Sequence, residues 1–281
     1  MILYPNAKIN LGLAVERRRP DGYHDIATIM VPVDWCDILE IVPADNSTTS
    51  LTTFGRAVDC PPEKNLVIKA YNALADTLGG LPPVHFYLEK IIPDGAGMGG
   101  GSADASFALR GLNELFNLGL DEQQLATVAA TVGADCPFFI RNRPAWCTGT
   151  GTDLADCTTT GISGRAILIA KPRVASVSTK EAYAGVMPKP LSYDICELVN
   201  KPAAEWRDKL TNDFEQSVFA KLPAVRDIKE RMYRLGAEYA SMTGSGAAVF
   251  GIFSNDNLAQ SAASAFTDCD CRVCHVPDMN V

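Results

Sequence analysis

Alternation and helical spacing divide the chain into elements before any chemistry is considered. From 7 to 15, AKINLGLAV puts Ala7, Ile9, Leu11, Leu13 and Val15 on one face and Lys8 and Asn10 on the other, which predicts a half-buried strand. RRRPDGYH turns the chain into a second extended run at 26 to 33, and DILEIV at 37 to 42 is expected to continue a meander. Helical spacing with a closing glycine predicts a helix over 65 to 79, and VHFYLEK at 84 to 90 returns as a strand. A glycine-rich stretch follows. Beyond it Ala105, Ala108, Leu109, Leu112, Leu115 and Phe116 recur at three- and four-residue steps, which predicts an amphipathic helix with Ser102 as its N-cap. Asp121 and Gln124 have capping-box spacing ahead of a second stripe, Leu125, Val128, Ala129 and Val132, which Gly133 ends. The apolar FFI after Pro137 reads as a strand.

The second half begins near Thr160. It reads as a strand at AILIA, helices across roughly 179 to 235, strands at EYASM and AAVFGIF, a helix at 257 to 266 and a final strand. The order βα-ββ-αβ is that of a ferredoxin-like unit. The chain is therefore expected to be α+β with two domains, 1–159 and 160–281, and its 281 residues suit that division.

Composition narrows the class of function. With 47% hydrophobic and 21% charged residues, and no apolar run of membrane-spanning length, the expectation is a soluble protein of the cytoplasm, monomer or homodimer, without a membrane partner. MILYPNAKIN lacks the charged-then-apolar order of a secretion signal. A net charge of −8 argues against a nucleic-acid surface, and Arg17, Arg18 and Arg19 before a Pro-Asp-Gly turn read as a solvated hairpin tip. The nine cysteines are odd in number and announce no disulfide framework. Cys269, Cys271, Cys274 and His275 near the end raise a metal or haem site, but no second ligand pair accompanies them, and a Cys-rich terminal strand is the preferred reading.

The glycines at 95, 97, 99, 100 and 101 carry the first chemical signal. Glycine permits positive φ and lets backbone N–H groups approach a ligand, and the helix that follows offers orphan N–H groups and a positive dipole end. Together these describe an anion seat, with a flexible linker as the bland alternative. No lysine follows in the P-loop manner. Gly95, Gly97 and Gly100 satisfy G-x-G-x-x-G, yet Glu114 lies within a helix and Asp121 starts another, so the acidic partner of a dinucleotide site is missing. Three polar residues could act beside a bound phosphate: Lys8, Asn10 on the same strand face, and Asp135 in a turn. A carboxylate near an ammonium can accept a hydroxyl proton while the lysine balances developing charge. Local chemistry leaves two plainer readings open, an edge-strand solubility charge for Lys8 and a turn residue for Asp135.

Four separated segments extend the picture: PNAKINLGL with RRRPDGYH, PDGAGMGGGSADA, TVGADCPFF and MTGSGAAVF. In this order they resemble the GHMP family of small-molecule kinases over nearly the whole length. The resemblance implies an N-terminal ribosomal-protein-S5-domain-2-like domain, a C-terminal ferredoxin-like domain and an active site in the cleft between them. It implies phosphoryl transfer from ATP with Mg²⁺, Asp135 as catalytic aspartate, Lys8 beside it, and Asn10 in the same hydroxyl-binding corner. It also implies ATP contacts from Asn65 on the adenine side and from Pro93, Gly95, Gly97, Gly99, Gly100, Gly101 and Ser102 around the phosphates, with Ser102 toward the metal. Tyr23 and His24 match residues that stack on and hydrogen-bond a cytosine, and Tyr183 matches a second aromatic wall. The acceptor so implied is a sugar alcohol carrying a cytidine diphosphate. Mevalonate or homoserine as acceptor is the runner-up, against which DGYH speaks, since neither has a base to stack. A regulatory protein that kept the fold and lost catalysis is a further class, which the presence of both Lys8 and Asp135 opposes. Two departures from the family pattern are Ala103 where many relatives have a second serine and Asp153 where glutamate is commoner.

Overall fold

Three four-stranded sheets carry the extended segments in a computed structural model that describes residues 1–45, 48–58, 60–173 and 177–277. The first elements are β1 (Ile2–Leu3), β2 (Asn6–Arg18), β3 (His24–Cys36), β4 (Ile38–Pro43) and β5 (Ser50–Gly55). They are followed by α1 (Leu66–Leu78), β6 (Val84–Lys90), α2 (Gly100–Leu115), α3 (Glu122–Val132) and α4 (Cys136–Arg141). Then come β7 (Ala145–Thr148), β8 (Asp153–Asp156), β9 (Ala166–Pro172), α5 (Thr179–Ala184) and α6 (Ile195–Val199). The chain closes through α7 (Glu215–Lys221), α8 (Pro223–Arg234), β10 (Tyr239–Met242), β11 (Val249–Phe253), α9 (Asp256–Ala263) and β12 (Cys269–Cys274).

The chain forms two compact units, each assembled from separated stretches. The first gathers Met1–Ala7, Trp35–Asp94 and Gly99–Arg143. Its sheet runs β1-β4-β6-β5, with β5 and β6 parallel, and α1, α2 and α3 bury Leu74, Leu109, Leu112 and Leu125 in a core with Leu39, Ile41, Phe86 and Leu88. The second gathers Lys8–Asp34, Gly95–Met98 and the chain from Pro144 onward. One of its sheets is β2-β3-β7-β8 and the other is β10-β11-β9-β12, antiparallel throughout. The second sheet has the ferredoxin-like order expected, with α9 crossing between β11 and β12.

Four expectations need correction. β4 does not continue a meander, because it pairs with β1 and β6; apolar alternation foretells a strand but not its neighbour. β2 is buried on both faces from 6 to 15, since Lys8 and Asn10 find polar partners inside. FFI is helical: Pro137 sits in the first turn of α4, Asn142 closes it at φ 49°, and a short apolar run serves a buried helix as well as a strand. The N-cap of α2 is Gly99 at φ 71°, and Ser102 lies within the first turn. β1 and β5 went unforeseen, the one being two residues long and the other mostly polar and exposed. The Asp121–Gln124 capping box and the final Cys-rich strand stand as expected.

Candidate functional site

In the second unit, the glycine run is built into the sheet region by main-chain bonds. Gly95 O accepts from Ala247 N–H at 2.9 Å, Ala96 O from Ala248 N–H at 3.2 Å, and Met98 O from Lys8 N–H at 3.0 Å. Gly97, at φ 72°, lies so close to the backbone at Thr243 that a Cβ there would stand 2.2 Å from the Thr243 carbonyl oxygen. Only glycine fits such an approach. Asn212, buried beneath, donates to Met242 O at 2.8 Å and Gly244 O at 2.9 Å, and so fixes the TGSG turn from below. The structure thus joins two of the segments that sequence had left apart, PDGAGMGGGSADA and MTGSGAAVF.

Lys8 and Asn10 lie together in the same unit. Lys8 Nζ donates to Asn10 Oδ1 at 2.6 Å, and Asn10 Nδ2 donates to Thr28 Oγ1 at 3.1 Å. Thr243 Oγ1 accepts from Asn10 N–H at 3.1 Å and has Gly97 O within reach at 3.3 Å. One threonine therefore ties the strand of the lysine to the glycine run. Neither Thr28 nor Thr243 stood out in the sequence, because a threonine on a strand is ordinary; only the partner across the sheet reveals it.

The first unit holds the remaining residues expected on the phosphate side. Pro93 is buried, Gly99 caps α2, and Gly100, Gly101 and Ser102 form the first turn, where the open N–H groups and the dipole favour an anion. Ser106 Oγ donates to the Ser102 and Cys136 carbonyls, each at 2.8 Å, which fastens α2 to the start of α4. Asp135 is half-buried at the N-cap of α4 and makes no side-chain cap there. Next to it, burial pushes the Cys136 thiol up to about 11, which keeps it protonated and inert. Asn65 caps α1, its Oδ1 accepting from Val67 N–H at 2.9 Å; with Leu66 and Gly101 it lines a small cavity of about 130 Å³.

Tyr23, His24 and Tyr183 come together in the second unit, lining one cavity of about 780 Å³ with Arg18, Thr179 and Lys180. That is the size of a small-ligand pocket. His24 and Tyr183 already stack, centroids 4.8 Å apart and 23° from parallel, and Tyr183 leans edge-on against Phe214. No flat ring fits between His24 and Tyr183 at that spacing, whereas Tyr23 is 68% exposed. Partial burial, helped by the charge of Arg18, holds the His24 imidazole below its ordinary value, so it is neutral with one donor and one acceptor. The hairpin beneath is cross-linked: Arg17 and Arg19 both engage Asp25, whose carboxyl is held below the usual range, chiefly by Arg17. Two of the three arginines are thus not simply solvated.

At the chain's far end, His275 turns to Asp34 and Asp256. No group of three or more His, Cys, Asp or Glu placed to hold a metal ion occurs among the described residues. No described helix is long and apolar enough to cross a membrane.

A model of the GHMP kinases N terminal domain matches residues 65–143, and one of the GHMP kinases C terminal region matches 196–269. The 4-diphosphocytidyl-2-C-methyl-D-erythritol kinase of Parabacteroides distasonis is 47% identical over 269 residues, spanning 96% of this chain and 97% of that one. This chain belongs to the GHMP kinases. Among solved structures, a 4-(cytidine 5'-diphospho)-2C-methyl-D-erythritol kinase is 30% identical with a TM-score of 0.80, covering 98% of both chains. The mevalonate kinase of Methanococcus jannaschii covers 99% of this GHMP kinase with 98% of its own chain, at a TM-score of 0.71 and 16% identity. That second likeness is one of fold alone.

Proposed function

We propose that this GHMP kinase transfers the γ-phosphoryl group of ATP to a hydroxyl of 4-diphosphocytidyl-2-C-methyl-D-erythritol, giving the 2-phosphate and ADP in the non-mevalonate route to isoprenoid precursors. The observation that carries the choice of acceptor is the cavity shared by Tyr23, His24 and Tyr183. Three rings around a pocket whose lining includes Arg18 and Lys180 and, among the described residues, no carboxylate suit a nucleoside diphosphate better than mevalonate or homoserine. Tyr23 supplies a ring face for the cytosine, Tyr183 serves as the second aromatic wall by backing His24, and the neutral His24 reads the base edge, the means by which unstacked bases are recognised elsewhere.

In the reaction, Asp135 takes the proton of the acceptor hydroxyl as its oxygen bonds to the γ-phosphorus, the bond to the bridging oxygen breaks, and ADP leaves. Lys8, aligned by Asn10, balances the charge on the acceptor oxygen. Gly95, Gly97, Gly99, Gly100, Gly101 and Ser102 cradle the phosphates by backbone N–H groups with Pro93 fixing the entry, and Asn65 lies on the adenine side. The hard hydroxyl oxygen of Ser102 in the first turn of α2 would help to hold a Mg²⁺ ion, which would supply neutralisation of phosphate charge. On this reading residues 1–159 are the N-terminal kinase domain and 160–281 the C-terminal one, and the enzyme works in the cytoplasm on small molecules.

ADP release measured with the cytidine-linked substrate, mevalonate and homoserine tests the proposal. Turnover is expected with the first alone, and Asp135→Asn is expected to lower kcat by about 10²- to 10⁴-fold, the usual worth of a general base. Turnover confined to mevalonate, or an Asp135→Asn enzyme as fast as the wild type, overturns it.

A further inference from the structure

Within the first unit, three charged side chains to which the proposed chemistry gives no role are almost wholly buried, two of them, Lys90 and Asp104, in the lining of the small cavity that Asn65 and Gly101 share. Lys90, the last residue of β6, is 4% exposed, Asp104 in α2 is 2% exposed and Asp37, just ahead of β4, is 0% exposed. The Lys90 ammonium donates to Asp104 Oδ2 at 2.7 Å and to Asp37 Oδ2. Asp37 Oδ1 accepts from Ile91 N–H and, at 2.8 Å, from Ile92 N–H. On the other side, a Cβ at Gly100 would lie 3.5 Å from Lys90 Nζ and 3.1 Å from Ile92 Cγ2. The strand end that enters the glycine run and the helix turn that leaves it thus meet at one ammonium.

Stability alone is a poor reason for such an arrangement. Buried ion clusters seldom outperform apolar packing, and this one sets two carboxylates against one ammonium and leaves Asp104 Oδ1 buried without a hydrogen-bond partner. Burial lifts the Asp104 carboxyl to about 8 despite Lys90, whereas Lys90 rises above the ordinary lysine value because the two aspartates outweigh the cost of its burial. The Lys90 ammonium is also committed to two aspartates, so it is no substitute for a P-loop lysine. Its neutralised charge lets a cation sit against the positive end of α2 without repelling it.

We propose that Lys90, Asp37 and Asp104 are positioning residues for the phosphate loop, locking its two stems at the spacing that ATP requires. The inference rests on the reading of the glycine run as the ATP seat. Asp104→Ala cuts the tie to α2 but leaves a balanced Lys90–Asp37 pair, and Asp104→Asn restores an acceptor for Lys90. Direct titration of Mg²⁺ with a non-hydrolysable ATP analogue, together with the KM values for both substrates, provides the readout. Asp104→Ala is expected to weaken nucleotide binding and raise KM for ATP about tenfold, leave KM for the acceptor within twofold, and be rescued by Asp104→Asn. A merely structural role would disturb both substrates together. If Asp104→Ala does not fold, Lys90→Arg decides, because it retains the charge but not the spacing, and a several-fold rise confined to ATP is expected. Equal effects on both substrates, or variants that bind nucleotide like the wild type, overturn this inference alone; a wild type that binds no nucleotide overturns the ATP reading and this inference with it.

Discussion

The glycine run at Gly95–Met98 and the aromatic pocket at Tyr23, His24 and Tyr183 belong to the same compact unit but are made in opposite ways. The first is backbone against backbone: carbonyls of 95, 96 and 98 are bonded to the chain at 247, 248 and 8, and nothing larger than hydrogen fits on Gly97. The second is built from side chains on a hairpin and a short helix, with one ring largely exposed. On the proposed reading the first is a seat for phosphate, which can be rigid because every nucleoside triphosphate presents the same anion. A base pocket must select, and selection resides in replaceable side chains.

Two glycines with similar backbone conformation expose that difference most sharply. Gly97 and Gly22 have φ of 72° and 89°, so alanine is strained at both. At Gly97 the added Cβ meets the Thr243 carbonyl at 2.2 Å, whereas at Gly22 it meets nothing within 4 Å. Gly97→Ala is expected to lower kcat/KM by at least about 100-fold, because neither backbone can yield without moving the loop by the ångström that costs about that much in catalysis. Gly22→Ala should cost only the left-handed strain of about 1–2 kcal/mol in stability and leave kcat unchanged. Thermal unfolding and steady-state kinetics on the two variants check this, and equal losses of activity would dissolve the contrast.

That contrast also governs how much was legible in the sequence. The aromatic pocket was readable as residue types, since DGYH is a turn carrying an aromatic and an imidazole, and Tyr183 followed by resemblance. The seat was readable only as glycines. That Gly97 is pinned by Thr243, 146 residues on, and that Asn212 holds the turn at 243 to 246 from 32 residues before Gly244, depends on pairings that no local pattern encodes. Short elements failed for a related reason: the FFI run fits a buried helix or strand equally, and the choice fell to Pro137 and Asn142 at its ends. Lys90 and Asp104 were visible as letters, but their burial was not. A lysine ending a strand and an aspartate in a helix are surface residues by default.

Within the pocket the next largest effect is expected at Tyr23. Stacking on a base is worth roughly 1–3 kcal/mol, so Tyr23→Ala should raise KM for the cytidine-linked substrate about tenfold and leave KM for ATP unchanged. Tyr23→Phe keeps the ring and should stay within about threefold, as befits a hydroxyl on a ring that is 68% exposed. If Tyr23→Ala moved KM for ATP as much as KM for the acceptor, the pocket would not be a base site.

The smallest expected effect is a dependence on pH carried by His24. Partial burial and the nearby Arg18 charge lower its value in the folded protein relative to the ordinary 6.5 of the unfolded chain. Fewer protons are then bound folded than unfolded over that interval, so the His24 contribution to stability is present above 6.5 and is lost as pH falls through the lowered folded value. Protonation also removes the ring acceptor that a base edge requires. KM for the cytidine-linked substrate is therefore expected to climb on acidification below pH 6.5, while the binding of ATP at the backbone-built seat stays level over the same range. In His24→Asn, which keeps a donor and an acceptor but does not titrate there, the climb should flatten. A wild-type profile in which both substrates weaken in parallel would place the titrating group outside the pocket and remove the difference in acid sensitivity between the side-chain site and the backbone one.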